Sequence, residues 1–186
     1  MEIVRLRMRH DLRVETAQLL NSEWPRSLAA RLINLEEGEG VLPCSLVLLH
    51  NDQEVVGHVR LHAVSGRSHA VLLESLLVSR EWRGRGLGAK LMSAAEEYAV
   101  GLDFHTIHLS THDKQDFYRH LGYEDGPPTS ALRDCVARLN KKQQVEVLVS
   151  THPSIIPPPP PPPPPPLPPS PTCTQRHTLT WMKKNL

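Results

Sequence analysis

Cysteine is scarce in this 186-residue chain, and Cys44, Cys135 and Cys173 are odd in number and lack metal-ligand spacing. That pattern predicts reduced thiols, with neither a disulfide framework nor a metal centre. Long apolar runs are missing too. None approaches the ~18 residues of a membrane span, and Met1 to His10 mixes charged with apolar side chains where a signal peptide would be continuously apolar. A charge excess is likewise absent: 21 Lys and Arg stand against 20 Asp and Glu, for a net charge of +1. Nothing global therefore draws the chain to nucleic acid or to an anionic membrane. The expectation is a cytosolic monomer whose charge selectivity is local.

Proline, by contrast, is abundant. Pro157 to Pro166 form an unbroken run, followed by Leu167-Pro168-Pro169. Such a run lacks backbone donors, enters neither a helix nor a sheet ladder, and is expected to be an extended polyproline II rod or a solvated loop. Beyond it, Thr178 to Met182 reads as a strand, so the run interrupts a fold that resumes afterwards. The chain accordingly divides into a core at 1–139, a proline-rich insertion at 140–176 and a C-terminal strand at 177–186.

Within the core, Glu2 to Leu6 alternates as a strand does, and His10 to Ser22 carries Leu12, Leu19 and Leu20 on a helical stripe ended by Trp24-Pro25. Ser27 is placed to cap a second helix in which Leu28, Leu32 and Leu35 share a face. Ser45 to Leu49, Val55 to Leu61 and Val71 to Val78 read as an antiparallel meander, with Asn51-Asp52 as the first hairpin turn. A helix follows from Leu87 to Val100, with Gly101 set to stop it. Ile107 to Ser110 is then a strand, and Asp113 to Leu121 a short helix closed by Gly122. The strand, helix, strand order implies a right-handed crossover and a locally parallel pair. The fold class is α/β, with a mixed, mostly antiparallel sheet and about four helices.

The densest signal is Arg83-Gly84-Arg85-Gly86-Leu87-Gly88-Ala89. Glycines at alternate positions leave amides uncovered where a strand hands over to a helix, so several donors and the helix's positive end face one point. That point suits a pyrophosphate. A P-loop is excluded because no Gly-Lys-Ser/Thr ending is present, and a dinucleotide fold is disfavoured because the chain does not open on a βαβ unit.

This segment resembles the signature of the GNAT acetyltransferases, which reads Arg or Gln, two residues, Gly, one residue, then Gly or Ala; Arg83, Gly86 and Gly88 match it. The resemblance implies acetyl-CoA as cofactor and a bulged strand before the signature. Leu76, Leu77 and Val78 then fall where the family's backbone pairs with pantetheine. Phe117-Tyr118-Arg119-His120-Leu121-Gly122-Tyr123 resembles the family's later helix, which implies that Tyr118 touches the cofactor and is the general acid. An ordinary phenol, with a pKa of about 10, suits protonation of a departing thiolate. For the amine proton, Glu74, His112 and Asp113 all remain candidates, acting directly or through water.

A narrower resemblance, to the actin N-terminal acetyltransferases, rests on several segments along the chain. These are Trp24-Pro25-Arg26-Ser27 with Arg31, Val56-Gly57-His58, Glu74, Leu109-Ser110-Thr111-His112-Asp113, His120-Leu121-Gly122-Tyr123, the proline run and Trp181-Met182. It implies an acidic actin N-terminus as substrate and profilin as a partner docking on Pro157 to Pro166. Trp24, Arg26, Arg31, His58, Arg60, Thr111, His112 and Tyr123 are then the substrate-facing residues, with arginines suited to successive carboxylates. An acetyltransferase for another protein or a small amine, and a proline-rich adaptor carrying an inert acetyltransferase fold, are the alternatives.

Overall fold

The computed structural model describes residues 1–36, 41–131 and 179–186. Its seven described strands form one sheet in the order β1-β2-β3-β4-β5-β7-β6. The strands β1 (Glu2–Arg5), β2 (Cys44–His50), β3 (Glu54–Val64) and β4 (Arg67–Val78) make the expected antiparallel meander. The β2–β3 connection is the three residues Asn51 to Gln53 between the paired His50 and Glu54, and it turns through Asn51 and Asp52, both at positive φ (50° and 64°), with Gln53 N donating to His50 O at 3.3 Å. A 3₁₀ turn, Arg80–Trp82, and helix α3 (Leu87–Gly101) then cross over to β5 (Thr106–Thr111), which pairs parallel to β4 from Ala70↔Thr106 to Leu73↔Leu109.

Helix α4 (Gln115–His120) and the two-residue strand β6 (Glu124–Asp125) follow, and β7 (Thr180–Asn185) inserts between β5 and β6, antiparallel to both. The chain thus returns to the sheet, within the stretch assigned to a C-terminal strand. The proline-rich insertion lies outside the described residues. No helix among the described residues is long and apolar enough to cross a membrane.

Strand β2 is buried along nearly its whole length, because helices cover both faces of the sheet. On one face Leu46, Leu48, Val59, Leu61, Val71 and Leu73 pack against Leu91, Met92, Ala95 and Ala99 of α3. On the other, Val47, Leu49, Val55 and Leu77 meet Leu12, Ala17, Leu20 and Leu35, contributed by the helical segment that contains α1 (Arg13–Glu23) and by α2 (Leu28–Leu35). Period-2 alternation therefore sorts each strand's residues between two apolar layers.

Some local readings shift. Ser27 does cap α2, its hydroxyl accepting from the Ala30 amide at 3.3 Å. The buried stripe of that helix, however, runs through Arg31 (7% exposed) and Leu35, while Leu28 is 42% exposed. Helix α3 continues through Gly101, and the left-handed residue that closes the turn after it is Asp103 (φ 64°). Helix α4 starts at Gln115, after a turn in which the Thr111 hydroxyl accepts from the Lys114 amide at 3.1 Å.

Candidate active site

Pairing between β3 and β4 jumps from Arg60↔Glu74 to His58↔Leu77, so Ser75 and Leu76 together stand opposite Val59. This bulge is built around Ser75, at φ 55°, whose carbonyl accepts from His58 Nδ1 at 3.0 Å. Pairing between β4 and β5 stops at Leu73↔Leu109. From Glu74 onward, β4 therefore keeps β3 on one side and leaves β5 on the other. Leu76, Leu77 and Val78 lie on this parted stretch, with Leu77 paired to His58 and Val78 to Gly57.

At the end of β4 the chain turns into α3 through Gly84 and Gly86, at φ 75° and 73°. Gly86 is the N-cap and no side chain caps the helix, whose first bond is Lys90 N to Gly86 O at 3.1 Å. The opening amides, through Leu87, Gly88 and Ala89, belong to an uncapped helix N-terminus. A Cβ at Gly84 or Gly86 would meet nothing within 4 Å, so the turn is open to an approaching anion. A Cβ at Gly88 would lie 3.3 Å from the Phe117 ring, which is how closely α3 approaches α4. These residues fit a pyrophosphate. Arg83 instead holds the turn from behind: its Nε donates to the Val78 carbonyl at 2.9 Å and its guanidinium pairs with Glu23 at 2.9 Å. Arg85 lies over the Trp82 ring at 4.7 Å.

Tyr118, on α4, is buried in the α3-side core, edge-on to Phe117 and Tyr123 with ring centroids 5.0 and 5.8 Å away. Burial, aided by the negative charge of Asp113, pushes its phenol up to about 12. Tyr123 donates its hydroxyl to Glu96 at 3.1 Å, and burial beside that carboxylate pushes its phenol far up as well. Asp113 forms an exposed pair with Lys114 at 2.6 Å, and the exposed His112 accepts at its carbonyl from Gln115.

Across the sheet from α3, a cavity of ≈ 340 Å³ is lined by Arg26, Arg31, Asn34, His58, Arg60, His62, Glu74 and Ser75, among others. It gathers Arg26, Arg31, His58, Arg60 and Glu74 from the residues expected at the site. Trp24, Thr111, His112, Asp113, Tyr118 and Tyr123 are not part of its lining. Arg31 is held upright by Asn21, whose Oδ1 accepts from Nε at 3.0 Å, and by the carbonyl of Trp24. Arg60 donates to the Ser45 hydroxyl at 2.8 Å. Burial, with Arg60, Arg31 and His62 adding like charge, pushes His58 down to about 4, so it is neutral at physiological pH. Among the described residues of the lining the one carboxylate is Glu74, 3.2 Å from His62 Nε2.

His62 is the member that motif reading missed. His58, Arg60 and His62 alternate with Val59, Leu61 and Ala63 along β3, so a polar stripe on one face was visible in the pattern. Such a stripe on a strand buried on both faces marks a lined cavity.

Residues 7–123 match the model of the Acetyltransferase (GNAT) family. The chain is 40% identical over 138 residues to N-alpha-acetyltransferase 80 of Mus musculus, an alignment covering 71% of this chain and 44% of that protein. It thus spans less than half of that relative's length. The fold is similar to that of aminoglycoside 6'-acetyltransferase type Ii, with a TM-score of 0.63 at 19% identity over 100% of this chain and 97% of that one. It is similar as well to a Mycobacterium tuberculosis protein in complex with CoA and NLQ, with a TM-score of 0.59 at 16% identity over 100% and 99% of the two chains.

Proposed function

The chain belongs to the GNAT acetyltransferase family, and from that premise we propose that it uses acetyl-CoA to acetylate the α-amine of proteins with acidic N-termini, the processed end of actin in particular. The observation that carries this reading is the charge of the cavity, whose described lining sets Arg26, Arg31 and Arg60 with two histidines beside one carboxylate. Guanidinium forks pair bidentately with carboxylates, and a recessed site screens such pairs less than open solvent does. The likeness to N-alpha-acetyltransferase 80 supports an α-amine acceptor. An α-amine, with a pKa of about 8 against about 10.4 for lysine, also needs only a weak base.

When bound, acetyl-CoA supplies an acetyl group activated as a thioester. The turn at Gly84 to Ala89 would hold its pyrophosphate, and Leu76 to Val78 on the parted edge of β4 would take its pantetheine arm. Glu74 takes up the amine proton, because it alone among Glu74, His112 and Asp113 lines the cavity. His62 positions that carboxylate from 3.2 Å. Tyr118 holds its proton at Oη throughout the physiological range and offers it to the departing sulfur. Transfer from a phenol at about 12 to a thiolate of ordinary basicity, about 8.5, is uphill. Tyr118 therefore acts chiefly by donating a hydrogen bond as charge develops on sulfur.

Pro157 to Pro166 form the proposed docking segment for profilin, since prolines with fixed φ enter an aromatic groove at little further cost in backbone entropy. The cytosol is the compartment this reading assigns. Mass spectrometry of unacetylated actin incubated with this protein and acetyl-CoA tests it. Acetyl on the N-terminal amine is expected, and actin left unmodified would overturn the actin assignment.

A further inference from the structure

We propose that His69, Asp103 and His105 form a binding site for a borderline divalent transition ion of the Zn²⁺ class, at the end of the parallel strand pair remote from the bulge. One donor atom from each residue lies within 4.8 Å of the other two. His69 sits at the start of β4 and His105 immediately before β5, one step ahead of the Ala70↔Thr106 pair, so the parallel ladder sets the two imidazoles side by side. Their rings are stacked, 5.1 Å apart and tilted by only 6°. Asp103 reaches them from the turn after α3, where its left-handed φ of 64° aims the side chain back toward the strands.

The spacing favours a shared cation over direct pairing. Asp103 Oδ2 is 3.5 Å from His69 Nδ1 and Oδ1 is 3.8 Å from His105 Nε2, both long for a charge-assisted hydrogen bond. Ligands at about 2.0–2.2 Å from a tetrahedral Zn²⁺ stand about 3.3–3.6 Å apart, a separation that a small side-chain rotation gives Asp103 Oδ1 and His105 Nε2 from their present 3.8 Å. The frame beneath them is already fixed: His105 N donates to His69 O at 2.9 Å, Asp103 N to Val100 O at 3.0 Å and Leu186 N to His105 O at 2.9 Å. His69 Nδ1 also donates to the Asp103 carbonyl at 3.0 Å. That bond orients the ring and leaves Nε2 with the lone pair, as the outer hydrogen bond of a metal-binding histidine does.

Two imidazoles and one carboxylate select Zn²⁺ and its neighbours over Mg²⁺ or Ca²⁺, which take oxygen ligands. The side chains are 58%, 78% and 64% exposed, so an ion enters freely and water completes its coordination. The expectation of no metal from cysteine spacing did not weigh histidines brought together by strand pairing. An ion here would clamp the turn after α3 to the first residues of β4 and β5, far from the acetyl-transfer groups.

Calorimetric titration of the chelator-treated full chain with Zn²⁺ alone, and with Mg²⁺ alone, tests the proposal. The expected result is a Zn²⁺ equivalent that weakens at least tenfold in both His69→Gln and His105→Gln and has no Mg²⁺ counterpart. Asp103→Asn, which tolerates the left-handed backbone, should weaken it less. Equal stoichiometry and affinity in wild type and both histidine variants would overturn the site. Should one variant fail to fold, shifts of the His69 and His105 ring resonances on substoichiometric Zn²⁺ decide the matter in the wild type, and unmoved resonances would equally overturn it.

Discussion

Tyr118 combines deep burial with a polar tip, and the two together set its chemistry. Its phenol, pushed up to about 12, does not ionise in the working range. Tyr118→Phe should retain acetyl-CoA affinity and lower kcat by about 10²- to 10³-fold, the loss of one hydrogen-bond donor to developing charge. The variant's pH–rate profile from about pH 6 to about pH 10 should keep the wild-type shape, because whatever titrates there is not this residue. A basic limb that vanishes in the variant would contradict this. His58 gives the complementary case. Its imidazole is held down at about 4 against an ordinary 6.5, so between those values the unfolded chain binds a proton that the folded chain refuses. Stability is then complete above about pH 6.5 and falls as pH drops toward 4, by about 3 kcal/mol in total. Urea midpoints at neutral and mildly acidic pH should show this loss in wild type and much less of it in His58→Gln.

Among the elements, legibility followed periodicity and turn chemistry. The meander and the Asn51-Asp52 hairpin were readable because β2 to β4 are apolar and their turn residues tolerate positive φ. Strand β6 was not readable, since two residues carry no period and it exists only because β7 returns beside it. On α2, Leu32 and Leu35 pack inward as expected, but Leu28 does not, and Arg31, polar by type, is buried with its guanidinium bonded to Asn21 and Trp24. The bulge at Ser75 left no mark in the hydrophobic pattern, and only the family resemblance placed it. The turn into α3 was legible from its glycines. At Gly86, φ of 73° costs a β-branched residue about 1–2 kcal/mol in strain. Gly86→Val should therefore remain folded by circular dichroism yet lose most of its affinity for coenzyme A in calorimetry. Unchanged affinity would remove this turn from the cofactor site.

At the scale of the whole molecule, two faces of one sheet serve different parts of the proposed reaction: the α3 face carries Tyr118, and the α1–α2 face carries the arginine-lined cavity. Between them the β4–β5 ladder ends at Leu73↔Leu109. That division was only partly visible in the sequence. Arginines and histidines far apart in the chain converge through strand pairing, which no local window records. The docking role proposed for the proline run is tested separately. Replacing Pro157 to Pro166 by glycine and serine should leave turnover of short peptides unchanged and reduce both profilin binding and the rate on profilin-bound actin. Unaltered binding and rate would reduce the run to a spacer.

The most direct measurement of the central claim is a competition, read by tandem mass spectrometry, in which acetyl-CoA and the protein meet an equimolar mixture of peptides. Some begin with several Asp or Glu, others with neutral residues, and all carry one internal lysine. The account predicts acetyl on the α-amine of the acidic peptides, with that preference diminished in Arg31→Glu and by added salt. Acetyl on lysine, or equal modification of acidic and neutral N-termini, would contradict it.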